Sequence, residues 1–513
     1  MRLGHLNTAP AYDELYHILA AESWLADGSF TVYKGEYTRV PSYTILTAWM
    51  FDLAGGPDLA MARAPNVFLG ALLAMVAALW TRQVAGPLAG WIMGLCVLFW
   101  PSGIHLSQTI RFYALHGVLF FIGAVATYGV FRPEATLARR LGLAVIGLAA
   151  LWAAKQLQNS TLVGVLGLGL WVLCFVVSPA ILRHPRRRAL LLAGGAALSV
   201  GVVAVVMSGA LGSAWERYIT SPWGWDPTAY HRVLSAQYPL FWTITPILAI
   251  LALRAFPRPA GFCTVLVGVG LLVHSFAGMQ NIRYIYYISP FVFALWAMGL
   301  AAALPGMLRQ LRLATSAVLG RRAHPALISA TVVGTLCFAM LANDAVIQSM
   351  KLALGRVVPP ASAVEDWSIA RDIVQQHVAD GALVVATNEL AAIHYLGGFD
   401  VVFSQNWMQE MEETEFAHDP RTGRYLIRTI PSLGDLVQSY PEGIFLASRR
   451  WWSSWPAGND VTTLLQAFQA PDVSLSFEQA GPLRILHWRN DNLPQDPRYA
   501  RIRQIIGPTM ADP

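Results

Sequence analysis

Two adjacent carboxylates and a nearby imidazole lie close to the start of the chain, in AYDELYHILAAESWLADG (11–28). Helical spacing places Asp13 and His17 on one helix face and turns Glu14 about 100° away. A carboxylate beside an imidazole can serve as a general base or as a metal ligand. The same residues also predict a simple helix start, with Asp13 as the cap, Glu14 in the first turn and Gly28 as the stop. Both interpretations stay open here, as does a local hydrogen bond between Asp13 and His17.

Basic residues that could bind an anion occur in four short motifs. These are GEYTRVPSY with Arg39, PDLAMARAPN with Arg63, LSQTIRFYALHG with Arg111 and Tyr113, and MQNIRYIYYISP with Arg283 and Tyr284. A guanidinium group gives a phosphate two parallel, charge-assisted hydrogen bonds. The alternatives are arginines that snorkel to lipid headgroups and tyrosines that form an aromatic belt. Arg39 is expected in an extended stretch, because Pro41 disfavours helix at Val40.

The composition predicts that these motifs belong to a polytopic membrane protein. The 513 residues are 55% hydrophobic and only 13% charged, with a mean hydropathy of +0.46, whereas soluble domains have about 25% charged residues. A membrane-spanning helix needs about 20 apolar residues. The sequence predicts ten spans, at 64–81, 88–103, 112–131, 141–156, 161–182, 189–211, 240–253, 261–278, 285–304 and 326–345.

The distribution of Lys and Arg between these spans predicts the orientation. One alternating set of loops carries fourteen such residues and the other carries five. Because the richer set faces the cytoplasm, residues 1–58, 212–239 and 346–513 are predicted outside. This N-terminal segment is then either carried across the membrane by an additional apolar span upstream in the natural gene, which we expect, or translocated as a short tail.

The acidic residues are unevenly placed in the predicted topology. Residues 1–345 contain eleven of them, and all but Glu134 fall on the predicted outer side. Ion-coupled transporters keep carboxylates at membrane depth. The predicted topology of this chain places no carboxylates at that depth. Acidic chemistry is instead concentrated in the first outer loop.

The polar C-terminal part predicts a small α/β domain. Strands are predicted at 382–387, 400–404 and 443–448, followed by a closing pair in VSLSF and RILHW. Helices are predicted at 388–398, 432–440 and 460–468. The sequence therefore divides into a first outer loop with interfacial helices (1–58), a transmembrane helical domain (59–345) and an extracytoplasmic α/β domain (346–513).

Four motifs together resemble the GT-C membrane glycosyltransferases. They are DELYHILAAESWLADG, YTRVPSYTILTAWMFDLAGGPDLAMARAPNVFLGALLA, IRFYALHG and IRYIYYISP, in that order. The nearest relatives by this pattern are the polyprenyl-phosphate-sugar enzymes of the protein O-mannosyltransferase and lipid A aminoarabinose-transferase type. The resemblance covers residues 11–304 and rests on the order and spacing of the motifs.

The resemblance implies an inverting transfer of a sugar from a polyprenyl phosphate to an acceptor hydroxyl outside the membrane. It implies that Asp13 and Glu14 are the catalytic acidic pair, with Asp13 as the general base and Glu14 positioning the acceptor or a cation beside it. It also implies that Arg111 and Arg283 bind the donor phosphate, together with Arg39. His17, Tyr113, Tyr284 and Arg63 are implied neighbours of the substrate or of a metal. A divalent cation (Mg²⁺, Mn²⁺ or Zn²⁺) held by Glu14 or His17 is a further expectation, although a second acidic motif is represented only by Glu216 and Asp226.

The expected partners are the lipid-linked sugar donor, a lipid, glycan or protein acceptor, and the bilayer, with no nucleic acid. The expected location is the cytoplasmic (inner) membrane of a prokaryote, as a multi-pass protein with its C-terminal domain extracytoplasmic. The alternative is a non-enzymatic flippase or transporter of lipid-linked sugars, which shares the arginines but has no need of the clustered acids.

Overall fold

The computed structural model has two compact units. The described residues are 6–189, 193–194, 226–277, 280–319, 365–404, 416–448, 465–470 and 472–511, with single positions between 326 and 356. A helical unit comprises the described parts of 63–108 and 112–357, and a mixed unit comprises those of 6–62, 109–111 and 358–513. The predicted domain boundaries at 58 and 345 stay predictions.

The mixed unit begins with two helices joined by a short hairpin. These are α1 (Tyr12–Asp27), β1 (Thr31–Val32), β2 (Gly35–Glu36) and α2 (Pro41–Ala54). As predicted, Gly28 ends α1 in the left-handed conformation, at φ 79°. The assignment of Asp13 as the cap was wrong. Ala11 is the N-cap, and its N–H donates to the Glu14 carboxylate at 2.8 Å, because a glutamate at the third helical position reaches back over the first turn.

The backbone before α2 also differs from the prediction. Val40 is not extended but left-handed, with φ 56° and ψ 59°. Pro41 disfavours the right-handed helical region at Val40, and the left-handed conformation that Val40 adopts lies immediately before the start of α2. A left-handed β-branched residue costs on the order of 1–3 kcal/mol, and such strain concentrates at functional sites.

The helical unit consists of apolar helices in close succession. They are α3 (Leu59–Ala85), α4 (Pro87–Leu98), α5 (Pro101–Ser107), α6 (Tyr113–Val130), α7 (Leu137–Leu157), α8 (Thr161–Arg183), α9 (Ala229–Gln237), α10 (Pro239–Thr243), α11 (Thr245–Ala255), α12 (Pro257–Ser275) and α13 (Ser289–Leu319). A short 3₁₀ turn, Ile282–Ile285, precedes α13.

Six helices in the described part of the chain are long and apolar enough to cross a membrane: α3, α6, α7, α8, α12 and the Ser289–Gln310 part of α13. They match six of the predicted spans and confirm a multi-pass helical membrane fold. Two further predicted spans, 189–211 and 326–345, lie largely outside the described residues.

Two predicted spans do not form single straight helices. The 88–103 span breaks between α4 and α5, which are bent by 58°, because Pro101 lacks an N–H and clashes with the preceding turn. The 240–253 span divides into α10 and the short apolar helix α11, which starts next to Pro246.

The C-terminal part of the mixed unit is a seven-stranded mixed sheet in the order β5-β6-β4-β3-β7-β9-β8. The strands are β3 (Leu383–Ala386), β4 (Val401–Phe403), β5 (Ala417–Asp419), β6 (Arg424–Ile427), β7 (Glu442–Ser448), β8 (Val473–Ala480) and β9 (Leu483–Asn490). The helices are α14 (Arg371–Ala379), α15 (Glu389–Ala391, continued by a π turn to Leu396), α16 (Ile430–Ser439) and α17 (Pro497–Ile506).

The predicted α/β character of this part is confirmed. β3, β4 and β7 are parallel, with buried apolar residues along β3 and β4 and in the middle of β7, and β8 and β9 form the expected antiparallel pair. Their inner faces pack with α16 and α17 in a core that includes Phe445 and Trp488. The sequence did not predict β5, β6, α14 or α17, and the predicted 460–468 helix lies largely outside the described residues.

Candidate functional site

The first turn of α1 presents its side chains to a polar cavity in the mixed unit. Tyr12, Asp13 and Tyr16 all line this cavity. Because α1 starts here, the positive end of its helix dipole lies at the same place, where it favours negative charge. The Asp13 side chain is 34% exposed, so its carboxylate remains accessible to a ligand.

Arg111 is fixed against the start of α1. Its Nη1 donates to the Asp13 carbonyl at 2.8 Å, and its Nη2 lies 4.0 Å from Asp13 Oδ2. The neighbouring Ile110 N–H donates to Glu14 Oε1 at 2.6 Å. The Arg111 side chain is only 6% exposed. A largely buried guanidinium is thus held beside a carboxylate, a pairing that the sequence motifs did not predict.

The other lining residues come from the β1–β2 hairpin with the segment after it and from the loop between β5 and β6. The Lys34 N–H donates to the Thr422 carbonyl at 3.0 Å, and the Glu36 N–H donates to the Pro420 carbonyl at 3.3 Å. Gly423 has φ +69°, and a Cβ there would lie 2.2 Å from the Lys34 carbonyl oxygen. Only glycine permits this approach of the two backbones.

The β5–β6 loop delivers a third arginine, Arg421. The Asp419 carboxylate accepts the Arg421 N–H at 3.0 Å and the Thr422 hydroxyl at 2.7 Å, which fixes the turn. The Arg421 guanidinium lies 5.6 Å from the centre of the Tyr16 ring and donates to the Tyr16 hydroxyl at 3.3 Å. This arginine is therefore oriented along the cavity wall.

Together these elements enclose a cavity of about 210 Å³. Its lining combines three arginines, two carboxylates, three tyrosines and a threonine: Arg39, Arg111, Arg421, Asp13, Glu36, Tyr12, Tyr16, Tyr37 and Thr38. Three guanidinium groups around a small space can bind a phosphate through charge-assisted hydrogen bonds. An accessible carboxylate beside them can take a proton from a hydroxyl. The arrangement suits transfer chemistry with an anionic leaving group.

A buried glutamate supports the tyrosines of this cavity. The Tyr12 hydroxyl donates to Glu389 Oε1, and it lies 3.4 Å from the Tyr16 hydroxyl. Glu389 is 2% exposed, and burial raises the pKa of its carboxyl to about 7, against a smaller opposing effect of the Tyr12 hydrogen bond. A chain of polar groups thus runs from Glu389 through both tyrosines to Arg421.

Glu14 and His17 are buried and do not line the cavity. Both Glu14 oxygens accept backbone N–H groups, from Ala11 and Ile110. His17 is fully buried, and its Nδ1 lies 2.9 Å from the Thr44 hydroxyl. Burial, with the nearby positive charges of Arg111 and Arg39, holds the pKa of His17 well below its usual value. His17 is therefore a neutral imidazole at pH 7.

The helical unit holds a second group of the residues singled out from the sequence. The Arg283 guanidinium lies 5.9 Å from the Tyr113 ring centre and 5.3 Å from that of Tyr284. Its backbone N–H donates to the Asn281 side chain at 3.1 Å, which starts the 3₁₀ turn. Arg283 is half-buried. Cation–π contacts of this kind hold a guanidinium in place without neutralising its charge.

The structure also bears on the other polar residues that the sequence singled out: Arg63, Arg39, Asp226 and Glu216. Arg63 is only 2% exposed in α3, so the interpretation of a snorkelling surface arginine was wrong. Arg39 is exposed at the cavity. Asp226 pairs with Arg232 and accepts the Thr228 N–H at 2.9 Å, whereas Glu216 lies outside the described residues.

Arg421, Glu389 and the two supporting tyrosines, Tyr12 and Tyr16, were not predicted from the sequence. One local signal was present for Arg421: the DPRTG segment (419–423) has the Asp-Pro start and glycine end of a tight turn. An arginine at the tip of such a turn is a candidate for binding an anion. Glu389 had no comparable signal, since its burial depends on contacts with a segment almost 400 residues away.

The architecture defines a multi-span helical protein with an α/β domain and a cavity lined by arginines and carboxylates. No family model and no curated protein sequence matches the chain. Among solved structures, the chain is similar to ArnT from Cupriavidus metallidurans, in the apo state (TM-score 0.56, 16% identity, 94% of this chain and 93% of that chain) and bound to undecaprenyl phosphate (TM-score 0.56, 16% identity, 96% of each chain).

A second similar structure is the Archaeoglobus fulgidus oligosaccharyltransferase tethered with an acceptor peptide, at a TM-score of 0.50 and 13% identity. The match covers 96% of this chain and 73% of that one. Both neighbours have the GT-C fold. The chain therefore has the fold of the GT-C membrane glycosyltransferases, as the order of its motifs predicted.

Proposed function

We propose that this protein is a membrane glycosyltransferase that moves a sugar from a polyprenyl-phosphate donor to an acceptor hydroxyl, with inversion. The observation that carries the proposal is the cavity in which the accessible Asp13 carboxylate lies among Arg111, Arg39 and Arg421. A carboxylate and several guanidinium groups are the two components that such a transfer requires: a base for the acceptor and donors for the leaving phosphate.

The proposed reaction is a single displacement at the anomeric carbon. The acceptor oxygen attacks that carbon from the face opposite the phosphate, and Asp13 takes the hydroxyl proton. The bond between the anomeric carbon and the phosphate oxygen breaks, and its electron pair leaves with the polyprenyl phosphate. The arginines stabilise the negative charge that grows on this phosphate.

The fold supports a lipid-linked donor. ArnT, which shares this fold, has been solved with undecaprenyl phosphate bound, and a polyprenyl phosphate carries the anionic group that the arginines of this cavity would bind. The apolar helices in the described part of the chain also fit a protein of the bilayer, which is where a polyprenyl chain partitions. We place the reaction on the extracytoplasmic side of a prokaryotic inner membrane, in line with the charge distribution between loops.

The same proposal assigns roles to Arg283 and Glu14 and describes the acceptor. Arg283, oriented by Tyr113 and Tyr284 in the helical unit, is assigned to donor binding. Glu14 is assigned as a positioning residue, because its two oxygens hold the helix start and the segment that carries Arg111. The acceptor is a hydroxyl on a lipid, a glycan or a protein. No step is assigned to a divalent cation at Glu14 or His17, since Glu14 already accepts two N–H groups and His17 is buried.

The experiment that tests the function follows the bond between sugar and phosphate. Purified protein in nanodiscs is incubated with radiolabelled polyprenyl-phosphate sugars and with envelope extract as the source of acceptor. Transferase activity converts the label to a product that no longer carries polyprenyl phosphate. If the label crosses the bilayer of proteoliposomes with its phosphate bond intact, the protein is instead a flippase or transporter. Asp13→Asn serves as the matched inactive control.

A further inference from the structure

A cluster of metal-ligating side chains lies in the C-terminal part of the mixed unit. It consists of His377 near the end of α14, Glu442 at the start of β7 and His487 in β9. None of these three residues lines the polar cavity. The cluster thus has no part in the proposed transfer chemistry and needs an explanation of its own.

The sheet register brings two of the three residues together. In the antiparallel β7–β9 pair, His487 is opposite Ile444 and Arg489 is opposite Glu442. Side chains two residues apart along a strand share a face, so Glu442 and His487 are diagonal neighbours on one side of the sheet. Helix α14 adds His377 to that side. Three separate elements therefore converge on one point.

The donor atoms of the cluster are already close. One ligand atom from each of His377, Glu442 and His487 lies within 4.8 Å of the other two. The distance from His487 Nε2 to Glu442 Oε1 is 2.7 Å, and the two imidazole rings are 4.5 Å apart between centroids. The side chains of His487 and Glu442 are 24% and 20% exposed, which leaves a path for an ion from solvent.

The chemistry of the cluster selects among metals. Two imidazole nitrogens and one carboxylate oxygen form a ligand set typical of Zn²⁺, with a fourth position left for water. Mg²⁺ and Ca²⁺ prefer ligand sets made only of oxygen atoms. The carboxylates of Glu478 and Asp380 also act electrostatically on His377 and add negative potential for a cation. On the other side of His487, Nδ1 lies 3.4 Å from the Ser476 hydroxyl, an outer partner of the kind that orients a metal-binding histidine.

We propose that His377, Glu442 and His487 bind one Zn²⁺ ion, with water as the fourth ligand. The ion would link α14 to strands β7 and β9 and stabilise this part of the α/β domain. A domain whose folded state binds a metal gains stability that rises with the logarithm of the ratio of metal concentration to Kd. This site is separate from the proposed transfer reaction, so the two proposals can fail independently.

The test measures zinc binding by the full-length protein in detergent, after treatment with a chelator and removal of the chelator. Equilibrium dialysis against buffered Zn²⁺ gives the stoichiometry and affinity. Glu442→Gln keeps a neutral group that can hydrogen-bond His487 and is therefore expected to fold, while it removes the anionic ligand. His377→Ala removes one imidazole. His418→Ala is the matched control, since His418 is an exposed histidine on β5 of the same sheet.

The expected result is one Zn²⁺ per wild-type chain, and zinc affinity weaker by at least about 10–100-fold in Glu442→Gln and His377→Ala, since loss of even an outer partner of a ligand has an effect of that size. His418→Ala should bind zinc like the wild type. Added Zn²⁺ should also raise the thermal midpoint of the wild type and of His418→Ala, but not that of Glu442→Gln. Stoichiometric zinc binding that persists in both cluster variants, or no zinc binding by the wild type, would overturn the proposal and leave a simple Glu442–His487 hydrogen bond.

Discussion

The Arg111 guanidinium donates to the backbone carbonyl of Asp13 at 2.8 Å, while its other terminal nitrogen lies 4.0 Å from the Asp13 carboxylate. One arginine thus fixes the backbone that carries the proposed base and also contributes positive charge next to it. The Asp13 carboxylate is held in place without being buried, as its 34% exposure indicates. The proposed roles of both residues depend on this relationship.

Asp13→Asn separates a base from a structural residue. Asparagine keeps the size and polarity of aspartate, and Asp13 is not the N-cap of α1, so we expect normal folding and donor binding. Asparagine does not accept a proton from the acceptor hydroxyl, so turnover should fall by about 10²–10⁴-fold. The measurement is kcat for sugar transfer. Glu36→Gln, at another carboxylate of the cavity, is the matched control, and a reversed order of the two effects would move the base to Glu36.

Arg283 tests whether the helical unit contributes to donor binding. The Arg283 guanidinium lies over two aromatic rings, so loss of its charge should leave the fold intact. If the guanidinium binds the donor phosphate, the same loss should weaken donor binding. A charge-assisted hydrogen bond contributes about 1.5–3 kcal/mol, so Arg283→Ala should lower kcat/KM for the donor at least about tenfold. Arg283→Lys should restore only part of the activity, because lysine lacks the planar pair of donors. Wild-type donor kinetics in Arg283→Ala would exclude Arg283 from donor binding.

Much of the fold was predictable from the sequence, because membrane spans and buried strands are continuous apolar runs. Six spans and the strands β3, β4 and β7 were recognised in this way. The break between α4 and α5 was missed, although Pro101 was a warning against a straight span. The helix start at Asp13 was shifted by two residues, because Ala11 is a poor N-cap by type and depends on the reach of Glu14.

The site was predictable only in part, because some of its residues come from segments that are far apart in the sequence. Asp13, Arg39 and Arg111 were recognised from motifs in the first half of the chain, and all three line the cavity. Arg421 reaches the same cavity through backbone pairing between Lys34 and Thr422. No local pattern encodes that pairing. Glu14 and His17 were recognised as polar residues, but their burial arises from contacts that helical periodicity does not report.

The predicted orientation can be tested with Ser474, an exposed residue on β8. In a variant without native cysteines, Ser474→Cys should react with an impermeant thiol reagent in whole cells whose outer envelope admits the reagent. Glu134→Cys, between α6 and α7 on the predicted cytoplasmic side, should react only after the membrane is opened. The reverse labelling pattern would invert the topology and remove the extracytoplasmic assignment of the transfer reaction.

Glu389 predicts a specific dependence of stability on pH. Burial raises the pKa of its carboxyl from 4.5 to about 7, so the folded protein binds a proton in this range that the unfolded chain releases. The contribution of Glu389 to stability should therefore fall as pH rises from about 4.5 to 7. Glutamine does not titrate, so the wild type should lose more thermal stability than Glu389→Gln between pH 5 and 8. Asp491→Asn, at an exposed carboxylate, is the control, and parallel pH profiles for wild type and Glu389→Gln would contradict the assignment.

Arg421 provides the sharpest test of the cavity, because it was not among the residues predicted from the sequence to bind the donor. Its guanidinium is held by the Tyr16 hydroxyl and ring at the cavity wall. If it binds the donor phosphate, Arg421→Ala should lower kcat/KM for the donor at least about tenfold, the effect of losing one charge-assisted hydrogen bond. Arg421→Lys should recover only part of this loss.

The control for Arg421 is Arg489→Ala, at an exposed arginine of the same unit that pairs with Asp491 on the surface. It should have wild-type kinetics, since exposed ion pairs contribute about 0–1 kcal/mol. The salt dependence of donor binding adds a second readout, because a lost phosphate contact should make donor KM less sensitive to ionic strength. If Arg421→Ala has unchanged donor kinetics and unchanged salt dependence, the arginine only orients Tyr16, and phosphate binding in this cavity must rest on Arg39 and Arg111.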